Sequence, residues 1–242
     1  MTFIHHLQSA LAFLTRLGPH GRSKAQDFHK TLPMFPLVGL ILGALMLAPL
    51  FLGLLRGQPF IAAWLLAAAN LYLTRGLHYD GLSDLFDAWG SMAQKERFFE
   101  IMKDSRVGAF GVIGLVFGIV GQILLFAALL SHERYSVVIW GFVFGRTNCV
   151  ILMRLGRDYL RPGLGSLFLP GATNKTLFVT LALSLVIGLF LVPASTLALT
   201  PLLAAPGLLA LIRLAKRHEG LNGDFLGAAI VYGEICGCLA GL

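Results

Sequence analysis

Long apolar runs, each about the length of a bilayer crossing and most of them closed off by basic loops, leave this chain little choice of fold. About 20 apolar residues are enough for a helix to cross a hydrocarbon layer of roughly 30 Å. Runs of that order, with their flanks, occupy residues 33–55, 60–74, 107–130, 135–155, 176–192, 197–214 and 225–242. The mean hydropathy of +0.79, with 57% apolar and only 13% charged residues, lies far from the balance of a soluble domain. The expected fold class is therefore all-α, a polytopic transmembrane helical bundle of about seven spans. Residues 2–17 are interrupted by His5, His6 and Gln8 and are too short for a span, so they read as an N-terminal interfacial helix. With no internal repeat, residues 1–242 read as a single integral membrane domain.

If the seven runs alternate sides, the loops sort into two sets, and sixteen of the nineteen Lys and Arg residues fall on one side. They include Arg16, Arg22, Lys24 and Lys30 in the first loop and Lys95, Lys103 and Arg106 in a long polar segment. Only Arg56 and Arg134 lie opposite, with Arg146 inside a span. The positive-inside rule then places the N-terminus and the long polar segment in the cytoplasm. That asymmetry accounts for the net charge of +7, so nucleic acid is not needed as a partner; the bilayer is. Cys149, Cys236 and Cys238 lie within apolar runs without metal-ligand spacing and read as packing residues.

The polar segment opens with RGLHYDGLSDLFDAWG, residues 75–90, which holds Asp80, Asp84 and Asp87. On a helix these fall within about 60° of arc, with Leu82, Leu85 and Trp89 opposite. Like charges so spaced repel by a few tenths of a kcal/mol per pair in water, and by more where the dielectric is lower. The face is therefore either solvated or balanced by a cation. An all-oxygen set suits Mg2+, which keeps waters and completes its shell with substrate phosphates. The same topology brings Asp104 and Arg106, in KDSR, and Asn222, Gly223 and Asp224 to the same surface. His78, just ahead of the acidic face, is a candidate base or phosphate ligand, or a structural histidine. Glu234 lies about ten residues into the last run, where a carboxylate needs a proton, a partner or a wet cavity. Arg146, also mid-span, is its candidate partner.

These residues resemble the cobalamin synthase family, the adenosylcobinamide-GDP ribazoletransferases of bacterial vitamin B12 assembly. The similarity covers FLTRL at 13–17, FPLVGLILG at 35–43, LHYDGLSDLFDAWG at 77–90, ERFFEIMKDSRVGAFG at 96–111, Gly145-Arg146, and GLNGDFLGA at 220–228. Tyr79 stands where the family usually has an aliphatic residue, Asn222 where it has threonine, and AWGS replaces a more glycine-rich turn. No carboxylate is lost.

The resemblance implies a Mg2+-dependent transfer at the cytoplasmic face of the bacterial inner membrane. The 3′-hydroxyl of α-ribazole, or of its 5′-phosphate, displaces GMP from adenosylcobinamide-GDP to give adenosylcobalamin or its phosphate. Under that reading Asp80, Asp84 and Asp87 hold the metal, and Lys103, Arg106, Arg146 and Asn222 bind substrate. Asp87, Asp104 and Asp224 are the candidate bases, with His78 beside them. A homo-oligomer or a complex with other cobalamin-assembly enzymes is compatible with it. Two rival readings are a CDP-alcohol phosphotransferase and a cation transporter. The first lacks its alanine-arginine between paired acids, and the second calls for carboxylates deep in several spans.

Overall fold

Ten α-helices and no strand make up the computed structural model, which describes residues 2–18 and 25–242. They are α1 (Phe3–Leu14), α2 (Phe35–Phe51), α3 (Pro59–Leu73), α4 (Leu77–Gly90), α5 (Lys95–Met102), α6 (Ala109–Ser131), α7 (Tyr135–Leu155), α8 (Asn174–Leu191), α9 (Ala194–Arg217) and α10 (Gly223–Leu239). Short 3-10 segments cover residues 25–34, 157–159 and 164–171. Arg22 and Lys24 of the first basic loop lie outside the described residues.

Five helical stretches are long and apolar enough to cross a membrane: Phe28–Phe51 and helices α6, α7, α8 and α9. A sixth arises if α3 and α4, bent by 89° where they join, count as one broken span. The all-α, multi-pass class expected from the sequence stands, with five or six spans by helix length and apolarity beside the approximate seven read from apolar runs. The difference lies in α10: the last apolar run extends to Leu242, but its helix stops at Leu239 after 17 residues, at the lower limit of the ~17–25 that a crossing takes. The run measures apolarity and the helix measures reach, and here the two differ.

Burial separates helices that hydropathy alone cannot. In α7, 89% of the apolar window is covered by other parts of the protein, against 11% in α9. Helix α7 is therefore the central post and α9 an outer one whose apolar face is left for lipid. Two GxxxG patterns let α7 and α10 meet closely, Gly141 with Gly145 and Gly233 with Gly237. A Cβ on Gly233 would come 2.8 Å from the Gly145 Cα, and one on Gly237 2.8 Å from the Gly141 Cα. Small residues at four-residue spacing allow such backbone contact in membranes, where close packing rather than water exclusion holds helices together.

The break between α3 and α4 has a local cause. Arg75 and Gly76 both take left-handed backbone angles, φ 59° and 68°, and the Gly76 amide donates to the Leu71 carbonyl at 2.8 Å, closing α3. Arg75 also anchors the N-terminal helix, donating from Nη2 to the Phe13 carbonyl at 2.6 Å. Helix α1 buries Ala10 and Leu14 while Phe3 and Ile4 stay exposed, as an interfacial helix would.

Candidate active site

Glycines determine how near α4 comes to its neighbours. A Cβ on Gly81 would lie 2.7 Å from the Asp224 Cα, and one on Gly227 would lie 3.1 Å from the His78 Cα. Helix α4 therefore crosses the first turn of α10 almost in backbone contact, which brings Asp80 and Asp84 beside Asp224. Asp84 is within electrostatic reach of Asp80, Asp224 and Asp87. Asn222 caps α10: its Oδ1 accepts from the Phe225 amide at 3.5 Å, and its Nδ2 donates to Asp224 Oδ2 at 2.7 Å. One Asp224 oxygen is thus held in place. Asp224 also sits in the first helical turn, where unpaired amides favour an anion.

Asp87 is held differently from Asp80 and Asp84, with which the sequence groups it. Its Oδ2 accepts from the Gly108 amide and its Oδ1 from the Gly111 amide, both at 2.7 Å. It tethers the start of α6 to α4. Among Asp80, Asp84 and Asp87, only Asp87 engages backbone amides in this way, and Asp224 joins the three from α10, within electrostatic reach of Asp80 and Asp84. Leu82 and Leu85 face the core as expected, whereas Trp89, in the last turn of α4, is exposed.

In the KDSR loop Arg106 grips Asp104 three times. Its amide and Nε donate to Oδ1 at 3.0 Å each, and Nη2 donates to Oδ2 at 2.7 Å. These hydrogen bonds hold the Asp104 carboxyl at about 2, below the usual carboxylate range. Lys103 beside it is exposed.

Behind the acidic face lies a cavity of about 280 Å³, lined by Phe13, Phe35, Phe168, His78, Asn222 and Asp224 among others. Part of its wall is fixed by the pairing of residues 159–161 with Leu221. The Leu221 amide donates to the Tyr159 carbonyl at 2.6 Å, and the Arg161 amide to the Leu221 carbonyl at 2.8 Å. His78 is buried on that wall, and its Nε2 has no hydrogen-bond partner.

Arg146 lies apart from this group, fully buried, where its Nη1 donates to Glu234 Oε1. Glu234 Oε2 accepts from Gln122 Nε2 at 2.6 Å and from Asn70 Nδ2 at 3.2 Å, and Tyr79 Oη donates to Gln122 Oε1 at 2.8 Å. The pairing of Arg146 with Glu234 follows from the sequence. The rest of the network is a finding of the structure. Asn70 and Gln122, as amides inside apolar runs, were its legible signal.

Among the described residues no three His, Cys, Asp or Glu side chains are already drawn together as a metal ligand set. The donor chemistry still fits magnesium, which is usually held by one or two carboxylates and completed by waters and substrate phosphates. Asp80 and Asp84, with Asp224 facing them, offer that partial shell.

A family model described as cobalamin-5-phosphate synthase matches residues 6–242. The chain belongs to this family. It is 41% identical over 227 residues to an adenosylcobinamide-GDP ribazoletransferase of Nitratidesulfovibrio vulgaris strain Miyazaki F, covering 94% of this chain and 90% of the relative. The protein of that name from the Hildenborough strain is 43% identical over 229 residues, 95% of this chain and 94% of its own. The one from Prosthecochloris aestuarii is 33% identical over 228 residues, 92% and 91% of the two chains. No solved structure matches the chain significantly. Membership in the cobalamin-5-phosphate synthase family leaves the CDP-alcohol and transporter readings without support. It also gives the meeting of α4 with α10 a context, since both matched glycine-acid segments, at 77–90 and 220–228, converge there.

Proposed function

We propose that the protein is a magnesium-dependent adenosylcobinamide-GDP ribazoletransferase acting at the cytoplasmic face of a bacterial inner membrane. The observation that carries the reading is the convergence of Asp80, Asp84, Asp224 and Asn222 where α4 crosses α10, in a chain of this family. The substrates are those in the relatives' name, adenosylcobinamide-GDP and ribazole.

Phosphoryl transfer asks a protein mainly to position the reactants and neutralise charge. Asp80 and Asp84 would hold magnesium, which when bound would offset the negative charge of the diphosphate. Lys103 and Arg106 are exposed cations in the same polar segment as the acidic stretch and are suited to the phosphates. Arg146 is assigned instead to the buried pair with Glu234.

For the base, the three candidates differ in what binds them. Asp87 accepts backbone amides on both oxygens, and Asp104 is held by Arg106 at an acidity that makes it a weak base. Asp224 is oriented through one oxygen by Asn222, and its other oxygen is the one we assign to the acceptor. The acceptor's ribose hydroxyl then attacks the phosphorus bonded to the cobinamide side. As the new P–O bond forms, the bond to the GMP phosphate oxygen breaks, the proton passes to Asp224, and GMP leaves.

The test uses purified protein in lipid with adenosylcobinamide-GDP, α-ribazole and magnesium. GMP release accompanied by a cobalamin product is expected. Well-folded protein that yields neither overturns the reading.

A further inference from the structure

We propose that Tyr79 is a positioning residue for the magnesium site: its hydroxyl ties α4 through Gln122 to Glu234 on α10, and so sets where Asp80 and Asp84 stand against Asp224. This rests on the transferase reading above and adds to it a residue that touches neither substrate nor metal.

Helix α4 takes its direction from its neighbours. At its start Arg75 and Gly76 are left-handed and the chain turns by 89°, so α3 does not carry its own axis into α4. A Cβ on Gly76 would meet nothing within 4 Å, which leaves that side of the turn unpacked. Helix α6 runs antiparallel beside α4, with Gly118 against Tyr79 and Leu82, Gly114 against Phe86, and Gly111 against Asp87. Apolar contacts are non-directional, whereas hydrogen bonds fix angle as well as distance. Such bonds hold α4 to α6 at two points, Asp87 to the Gly108 and Gly111 amides and Tyr79 to Gln122. Asp80 and Asp84 lie between those points in the sequence.

The Tyr79 bond also reaches beyond α6. Tyr79 Oη donates to Gln122 Oε1 at 2.8 Å, and Gln122 Nε2 donates to Glu234 Oε2 at 2.6 Å. Glu234 is on the helix whose first turn carries Asp224, and Arg146 from α7 and Asn70 from α3 hold it in place. Tyr79, Gln122 and Glu234 are all buried, so water does not compete for these bonds. Successive side chains on a helix are about 100° apart, so a roll of α4 that breaks the Tyr79 bond swings the adjoining Asp80 carboxylate with it. One buried chain of bonds thereby links the helix of Asp80 and Asp84 to the helix of Asp224.

The experiment compares wild type, Tyr79→Phe, Gly118→Ala and Thr200→Val in lipid with adenosylcobinamide-GDP present. It reads the magnesium dependence of turnover and, separately, Mn2+ binding from the EPR signal of free Mn2+, with metal-free thermal melts to check folding. Tyr79→Phe keeps the ring, and Gln122 Oε1 keeps a donor in Asn70 Nδ2 at 3.2 Å, so the fold should hold. It should raise the magnesium half-saturation and the Mn2+ Kd by about tenfold each, the order seen when a partner that orients a metal ligand is lost. Turnover should recover at saturating magnesium, and KM for α-ribazole should not change.

Gly118→Ala removes no polar group, but its methyl would come 2.8 Å from Leu82 Cδ2 and 3.1 Å from Tyr79 Cε1, pushing the ring off Gln122. It should shift both metal readouts in the same direction. Thr200→Val removes the bond from Trp140 Nε1 to Thr200 Oγ1, 3.0 Å long between α7 and α9, and should leave both readouts unchanged.

Unchanged metal readouts in Tyr79→Phe, or a loss of turnover that no magnesium concentration restores, overturn the proposal. An equal shift in Thr200→Val does the same, because any loosening of the bundle would then suffice. If Tyr79→Phe melts early, Gly118→Ala is read in its place by the same criteria. If wild type releases no GMP, the transferase reading fails, and the tether is judged by Mn2+ binding alone, which must still weaken in Tyr79→Phe.

Discussion

Asp87 Oδ1 accepts a hydrogen bond from the Gly111 amide at 2.7 Å, across a gap that one methyl group on Gly111 would close. A Cβ there would collide with the Asp87 carboxylate and come 2.6 Å from Ser83 Oγ. With the matching bond from Gly108, this fixes the entry of α6 against α4, one turn beyond Asp84. Gly111→Ala should therefore lower both stability and turnover. Asp87→Asn offers one acceptor oxygen in place of two and leaves an amide unsatisfied, which costs about 1–3 kcal/mol if water does not reach it. Thermal melts in detergent check both. A wild-type melting temperature for Gly111→Ala would show that α6 is not clamped at this point.

Asp80→Asn and Asp84→Asn should behave in the opposite way. Each removes one charge from a set of neighbouring carboxylates and relieves repulsion, so stability should hold or rise by a few tenths of a kcal/mol. Turnover should fall steeply, with a higher magnesium requirement. The measurement is a magnesium titration of each variant beside wild type. Unchanged rate and unchanged metal dependence in either variant would remove that residue from the ligand set.

Arg146 and Glu234 form a buried pair, fully or almost fully removed from solvent. Removing one partner should cost about 3–5 kcal/mol by leaving the other uncompensated, whereas removing both is milder. Arg146→Met and Glu234→Gln should each lower the melting temperature more than the double variant does. Because Glu234 also receives bonds from Gln122 and Asn70, Glu234→Gln should disturb that amide network as well. Additive losses in the double variant would mean that the two residues are not coupled. Turnover that returns with stability in the double variant would assign the pair a purely structural role.

Orientation is open to chemical labelling. The native cysteines are buried, so single cysteines at Ser91 and Ser131, both exposed, can be placed in a background lacking them. Ser91 and the partly exposed Ser166 should react only with reagent on the cytoplasmic side, and Ser131 only from outside. Ser91 reacting from outside would move the acidic face, and access for a nucleotide substrate, to the wrong compartment.

Helix class, approximate span positions and the acidic face of α4 were legible because each is a matter of local pattern: apolar run length, basic loops, and carboxylates at spacings of four and three. The pairing of Arg146 with Glu234 was legible too, since two opposite charges in apolar runs have few other ways to be stable there. Tertiary structure decided what depends on where helices meet. Local spacing put Asp87 with Asp80 and Asp84, but the amides that bind it come from Gly108 and Gly111, and the carboxylate facing the other two is Asp224 on the last helix. The 89° turn at Arg75 and Gly76, and the end of α10 at Leu239, set reach and direction that hydropathy does not encode. The cavity at His78 belongs to no single segment, since its walls come from residues as far apart as Phe13 and Ile230. A sequence records which side chains are present; only packing, where glycines permit backbones to touch, determines which of them share a site.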